Sequence, residues 1–504
     1  MFQTTFGIRL LLPLLYLLLG PSMQPPSFEE DLGAKSQLGM ELMAARRYAE
    51  AVPVYREMVK ALPANSGLRL NLGMALHLAG QDKEAIPQFE AALRLGPDSL
   101  PAALFLGACN LRLGQAAMAV APLQKAVRLE PANRDARSML AEALLGTGRY
   151  AEAERHLHRL TQLGPPDPAV WLNLGKTYEE LAERAFDDLL KRDPEGPFGL
   201  AIAADARLKQ DQRNAAFHLY RQAIERAPTL RGLHAAIAGI YGSTGHPDWA
   251  AVEEERERRL PRPDCSREVL ECSFSAGKYR EVVAAASKLK TAPARYWLVR
   301  AYNELAVQAF ARLAALPPTA LSHEWMAQVH RAGRRYLESA EQWRQAIALA
   351  PAEPRLKMEL AVTLRLSREF AGAQQVLEEL LRAEPDAPEP NYLLGDVLLA
   401  QEQPERAIPF LEKAVRLEPK RAHAHGALGR AYTLVGRAAE AIPHLRQSLA
   451  ADVDGSLRYQ LARSYQVTGQ TEQAQMALQD YEQFRKASQA DSEEEGQGAP
   501  ITPP

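Results

Sequence analysis

Apolar residues along this chain fall at three- and four-residue intervals in blocks of about a dozen, as in Leu72 and Leu76, then Ile86, Phe89 and Leu93. That period puts them on one face of a helix. Two such blocks flank a short polar turn at Gly80, where a positive φ carries no steric penalty, and the second block ends at Pro97, which lacks the N–H to continue a helix. Each block pair therefore predicts two short antiparallel helices. The layout recurs every 34 residues: a small residue stands at Gly39, Gly73, Gly107, Ala141 and Gly175, and again at Ala327, Ala361, Gly395 and Gly429. Twelve positions on come Ala51, Ala85, Ala119 and Ala153, and in the second series Ser339, Ala373, Ala407 and Ala441. Prolines close the units at Pro63, Pro97, Pro131 and Pro165, then at Pro351, Pro385 and Pro419.

Glycine inside a helix costs about 1 kcal/mol against alanine, so its recurrence needs a packing reason: small residues let the paired helices approach closely. One such pair leaves half its apolar surface open, and stacking on the next pair is what stabilises it. The 34-residue period with its two small positions and terminal proline resembles the tetratricopeptide repeat. Trp171, Leu174, Gly175 and Tyr178 spell the first part of that pattern, and Ala85, Phe89 and Pro97 the second. The resemblance implies an all-α fold, an α-solenoid in which stacked helix-turn-helix units wind into a right-handed superhelix. Fourteen units, three of them degenerate, account for nearly all of the chain between its two ends.

The register slips twice. Ala204 follows Gly175, and Ala327 follows Val299, five or six positions sooner than the period allows, and in both cases the turn glycine is missing. The two segments resemble each other, Tyr178–Phe186 beside Tyr302–Phe310, and each reads as a shortened unit whose two helices have fused. The pattern is weakest where Arg258-Arg-Leu-Pro-Arg-Pro-Asp264 interrupts it. The expected organisation is a leader at 1–22, a first array at 27–262, a second at 263–487 and a disordered acidic and proline-bearing tail at 488–504, with a hinge near 258–268.

The leader expectation rests on the apolar run Leu10–Leu19, preceded by Arg9 and followed by Gly20-Pro-Ser22. A ten-residue run broken only by Pro13 and Tyr16 falls short of the roughly twenty residues that a bilayer span needs but suits a secretory signal. Cleavage after Ser22 would leave a chain starting at Met23, exported to a periplasmic or extracellular space. No cysteine follows closely enough for a lipoprotein anchor.

Composition changes this picture little. Sixty basic and 62 acidic residues give a net charge of −2, which supplies no field to attract nucleic acid. The cysteines, Cys109, Cys265 and Cys272, read as small packing residues, because Cys265 and Cys272 would stand about 10 Å apart along one helix and could bridge only if Cys265 lay outside it. No phosphate loop, nucleophile elbow or zinc-protease helix is present, and His323, Glu324 and His330 lack the spacing to share an ion. The sequence offers no catalytic residue, metal site or cofactor, and no small-molecule substrate is expected.

Function is then expected on the surface that stacking creates. In tetratricopeptide proteins the first helices of the units line a concave groove, and the register carries that role to Met40, Met43, Leu70, Met74, Leu78, Leu104 and Leu111 in the early units. In the later units it falls to Arg365, Tyr392, Asp396, His423 and Arg430. The early stretch would be apolar and adaptable, the later one polar and of mixed charge. The carboxylate clamp of chaperone-binding relatives is missing: Asn71 holds its middle place, but Ser36, Met40, Pro101 and Phe105 stand where basic and amide residues are needed. The reading that follows is a non-enzymatic scaffold for a protein or peptide partner. The alternative is a structural subunit of an envelope assembly, such as a secretion or polysaccharide-export apparatus, with a membrane-associated complex as its setting.

Overall fold

A computed structural model of the protein describes residues 28–496 and 501–504, so the expected leader at 1–22 lies outside the described residues. Those residues hold helices and turns, with no strand among them. They form two compact units, Met1–Arg149 and Tyr150–Pro504.

The first unit contains α1 (Phe28–Ala44), α2 (Tyr48–Ala61), α3 (Ser66–Leu78), α4 (Asp82–Leu95), α5 (Leu100–Arg112), α6 (Ala116–Leu129) and α7 (Arg134–Gly146). Consecutive helices pair as hairpins and each hairpin packs on the next. A Cβ on Gly39 would come within 2.8 Å of Tyr55, and one on Gly73 within 2.7 Å of Phe89; Gly107 meets Leu123 in the same way. The small anchor of the first helix thus receives the large side chain that stands one helical turn after the second small residue of its hairpin. Gly80, Gly114 and Gly148, seven positions after their anchors, carry φ of 79°, 71° and 68° as the turns require. Asn65, Ser99 and Asn133 cap α3, α5 and α7 by accepting from backbone N–H groups of the first turn.

The second unit begins with α8 (Tyr150–Leu160), α9 (Pro168–Arg192), α10 (Pro197–Lys209), α11 (Arg213–Arg226), α12 (Leu233–Ser243), α13 (Pro247–Arg259), α14 (Val269–Ser275), α15 (Tyr279–Ala286) and α16 (Ala292–Ala314). It continues through α17 (Ala320–Ala332), α18 (Tyr336–Leu349), α19 (Pro354–Leu366), α20 (Phe370–Ala383), α21 (Pro388–Ala400), α22 (Pro404–Leu417), α23 (Ala422–Leu434), α24 (Ala438–Ser448), α25 (Ser456–Val467) and α26 (Thr471–Gly496). Helix α26 runs well past Lys486, into the stretch expected to be disordered, and residues 501–504 also have a defined place.

The two fused helices are real, 25 residues in α9 and 23 in α16, but neither is a collapsed hairpin. They pack on each other. Gly175 receives Phe310 where every other glycine anchor receives the large residue of its own hairpin; Tyr178 stacks on Tyr302 with ring centroids 6.1 Å apart, and Arg295 pairs with Asp188. Residue numbers rise along one helix as they fall along the other, so the pair is antiparallel. Each long helix also touches a different neighbour at each half: α9 lies against α8 and α17 as well as α10, and α16 against α14 and α15 as well as α10. At its far end Phe310 of α16 stacks on Trp325 of α17, 4.7 Å between centroids. The result is two units that have exchanged second helices. Seven positions after Gly175 and Val299, where other units turn through a positive φ, stand Ala182 and Ala306, both buried in uninterrupted helix.

This pairing leaves the expected boundary at 262/263 inside the excursion α10–α15 that α9 and α16 close. It also separates that excursion from the later series α17–α26. The packing role given to the cysteines is corrected for two of them: Cys265 lies before α14, which lets its Cα come within 5.6 Å of Cys272, and the two form a disulfide. Cys109 is free and buried.

Candidate functional site

The second unit brings five of the register-selected residues together. Arg365 comes from the last turn of α19, Tyr392 and Asp396 from α21, and His423 and Arg430 from α23; these are first helices of three successive hairpins, and Asp396 and Arg430 hold the same register position. The Asp396 carboxylate stands between two guanidinium groups, accepting from Arg365 Nη1 at 3.1 Å and from Arg430 Nη2 at 3.4 Å. Arg365 Nε is buried and donates to no atom among the described residues. Tyr392 lies under the Arg421 guanidinium, 4.7 Å from ring centre to Cζ, and burial and the Asp396 charge push its phenol pKa up.

Beside this row opens a cavity of about 160 Å³ lined by Tyr392, Asp396, His423, Gly426, Arg430 and the segment that leads into α25. That segment contributes two carboxylates with different duties. Asp452 is buried and holds the loop by accepting from the backbone of Leu457 and Arg458 and from the Arg458 guanidinium at 2.8 Å. Asp454 is exposed, and the hydrogen bonds from Ser456 hold its pKa below the usual carboxylate value. A space this size takes one side chain. Its walls offer both donors and acceptors, which suits a polar or extended peptide segment better than an apolar one.

The early candidates are distributed differently. Met40 and Leu78 are exposed, at 58% and 40% of their surfaces. Met43, Leu70 and Met74 are half-buried against the core of α2–α5, Leu104 is half-buried on a smaller cluster around Ala103, and Leu111 is half-buried. In this unit the register positions are used mostly for packing.

The first unit also holds a polar cluster that sequence reading missed. His77 Nδ1 lies 2.6 Å from Asp82 and 3.2 Å from Cys109 Sγ, and the Arg112 guanidinium sits on both Asp82 oxygens. Burial pushes the Asp82 pKa up, but hydrogen bonds from Arg112, His77 and Cys109 outweigh it and hold the carboxyl at about 2. Burial, followed by the hydrogen bond to Asp82 and then its charge, raises the Cys109 thiol above its ordinary range. The three ligand-type atoms lie within 4.8 Å of one another, yet a guanidinium already occupies the place where a cation would neutralise Asp82. The arrangement therefore reads as a buried charge network that ties α3, α4 and α5 together. Its signal was in the sequence as a histidine four positions after one anchor and an arginine five after the next.

The fold defines a chain of stacked helix hairpins. Tetratricopeptide repeat family models match residues 111–176 and 398–461, and 36–99, 83–134 and 326–388. They cover over half of the sequence, and the chain belongs to the tetratricopeptide repeat family. Comparison with curated proteins finds no match. Among solved structures it is similar to YrrB, described as a tetratricopeptide protein with an unusual peptide-binding site, at 20% identity over 33% of this chain and 87% of that one, TM-score 0.29. TTC0263, a tetratricopeptide protein of Thermus thermophilus, matches at 21% identity over 32% and 90%, TM-score 0.28. The Cut9–Hcn1 hetero-tetramer of the APC/C matches at 14% over 87% and 96%, TM-score 0.28. Repeats of this family make protein-interaction scaffolds that bind protein or peptide partners.

Proposed function

We propose that the protein is an exported scaffold that holds an extended peptide segment of its partner along the first helices of α19–α23. The observation that carries this reading is the convergence of Tyr392, Asp396, His423 and Arg430 around one cavity, with Arg365 paired to Asp396 beside it. Asp396 holds the two arginines in place, and the part-exposed guanidinium groups keep donors for carbonyl or carboxylate oxygens of a bound segment. Tyr392 and His423 complete the wall with a phenol ring and an imidazole. Interfaces of this kind draw most of their affinity from a few such anchors.

Export is supported by the Leu10–Leu19 run and by the Cys265–Cys272 disulfide, a bond that persists in oxidising compartments. Among the described residues no helix is long and apolar enough to cross a membrane.

A displayed peptide library selected on the full chain tests the reading. Selected peptides should lose at least tenfold in affinity against Arg430→Ala while the melting temperature stays within a few degrees of the parent. Peptides that bind Arg430→Ala and the parent alike would place recognition elsewhere. For export, the amino terminus of the protein recovered from its host should lie near Met23; an intact Met1 in a soluble cytoplasmic fraction would defeat that part.

A further inference from the structure

Three buried tyrosines in the second unit stand three positions after a small anchor: Tyr178, Tyr241 and Tyr432. Each places its ring in the core of a hairpin and brings its hydroxyl to the edge of that core. A buried hydroxyl needs a partner. Tyr178 donates to Glu154, 24 residues earlier, at 3.0 Å, and Tyr432 to Glu412, 20 residues earlier, at 2.6 Å. The corresponding positions before Tyr241 hold Phe217 and Arg221, neither of which has a side-chain acceptor to offer. The Tyr241 hydroxyl finds its acceptor at the other end of the chain, donating to the carbonyl of Thr502 at 2.5 Å.

The surroundings fit the visitor. Tyr241 is fully buried, and burial pushes its phenol pKa up, so the hydroxyl keeps its proton. Its ring packs edge-on to Trp249 and against Phe217, both with centroids 5.5 Å away, and Trp249 in turn stacks on His246 at 4.1 Å. Aromatic surfaces with one directed donor are how extended proline-bearing segments are held, because such segments expose their carbonyls and have little conformational freedom left to lose. The terminal sequence is Ile501-Thr-Pro-Pro504, in which Ile501 and Pro504 are half-buried while Thr502 and Pro503 are exposed.

We propose that the aromatic cluster of α11–α13 is a second peptide site, specific for an extended proline-bearing segment, and that the protein's own carboxy-terminal residues Ile501–Pro504 occupy it. Tyr241 is its carbonyl-binding anchor. Because the occupant is tethered, it competes with any free segment at an effective concentration near the millimolar range, so the site is closed to weak ligands until the tail is displaced. This site is distinct from the row at Arg365–Arg430.

The test uses a fluorescent octapeptide of residues Gln497–Pro504 and three full-length proteins. One is the parent, one carries Ile501→Gly, Pro503→Gly and Pro504→Gly to unseat the tail, and one adds Tyr241→Phe to those changes. Fluorescence anisotropy should show the peptide binding the tail-unseated protein at least tenfold more tightly than the parent. Tyr241→Phe should then weaken that binding about five- to tenfold, the effect of one lost hydrogen bond. Phenylalanine keeps the ring, so melting temperatures should agree between the last two proteins. Equal binding to parent and tail-unseated protein, equal binding with and without Tyr241→Phe, or equal binding of a scrambled octapeptide would each overturn the proposal.

Discussion

The same register positions face two different fates in the two units. In α1–α5 they carry Met43, Leu70 and Met74, which fold back onto the core, and only Met40 and Leu78 stay in the open. In α19–α23 they carry Arg365, Asp396 and Arg430, which are half-buried too but pair with one another beside a cavity. The repeat fixes where a side chain starts, while its chemistry decides what it must meet there. An apolar side chain at the edge of a core gains by covering more of that core; a charged one at the same depth needs an opposite charge to offset the cost of desolvation.

The largest expected effect tests the first half of that contrast. Met74→Glu would push a carboxylate against the α2–α5 core and should cost roughly 3 kcal/mol, whereas Met40→Glu should cost under about 0.5 kcal/mol. Chemical denaturation of the two variants measures the gap, and equal losses would show that Met74 is free to swing outward. Next, Asp396→Ala leaves Arg365 and Arg430 facing each other with no carboxylate between them. It should cost about 1 kcal/mol, and the double variant with Arg365→Ala should recover part of that. A purely additive double variant would mean that the arginines are held by something else.

A smaller effect is expected at the turns. Seven positions after their anchors some hairpins have glycine, as at Gly80, Gly114, Gly148 and Gly436, while others have Arg46, Arg334, Arg368 and Glu402 at φ of 58°, 56°, 63° and 61°. A left-handed backbone costs a side-chain-bearing residue about 1 kcal/mol, so Arg368→Gly should stabilise by roughly 0.5 kcal/mol and Gly114→Arg should destabilise by a similar amount. Thermal melting of the two variants should move in opposite directions.

Acid should separate the units as well. Burial, then the charge of His425, lowers the His444 pKa below its ordinary 6.5. The unfolded chain therefore takes up the proton first, and the stability that neutral His444 contributes is intact above pH 6.5 and declines as the pH falls through its folded pKa. Asp82 is held at about 2 against an ordinary 3.8, so its contribution is intact above 3.8 and fades only as the pH falls toward 2. Hydrogen exchange should show α23–α24 loosening near pH 6 while α3–α5 stay protected. Simultaneous loss in both would contradict the assignment.

How much was legible in the sequence follows the same line between local and distant partners. Hairpins, anchors and turns were readable because each anchor and its large partner share one hairpin, within reach of a repeating pattern. The absence of turns in α9 and α16 was readable too, from Ala182 and Ala306 in place of glycine. Their pairing was not, since nothing in a nearest-neighbour pattern says that Phe310 fills the space over Gly175. The convergence around Asp396 could be placed by register, but the role of Asp452 and Asp454 depended on a loop outside it. Tyr241 was visible only as a core aromatic, and its missing acceptor could be noticed only by lining it up with Tyr178 and Tyr432.

The exchange of α9 and α16 sets a clock on the birth of the protein. Every other glycine anchor finds its partner within a fraction of the time needed to synthesise one repeat, but Gly175 must wait for Phe310, with all of α10–α15 to be made in between. At about 5–20 residues per second that wait lasts roughly 7–27 s, during which α9 keeps a sticky face uncovered. Closing the longer loop also costs roughly 2 kcal/mol more in chain entropy than closing a hairpin. A nascent chain paused between the two helices is thus the form most in need of a chaperone, and a host that slowed translation across residues 193–291 would lose more of this protein to aggregation than one that slowed it anywhere in α17–α26.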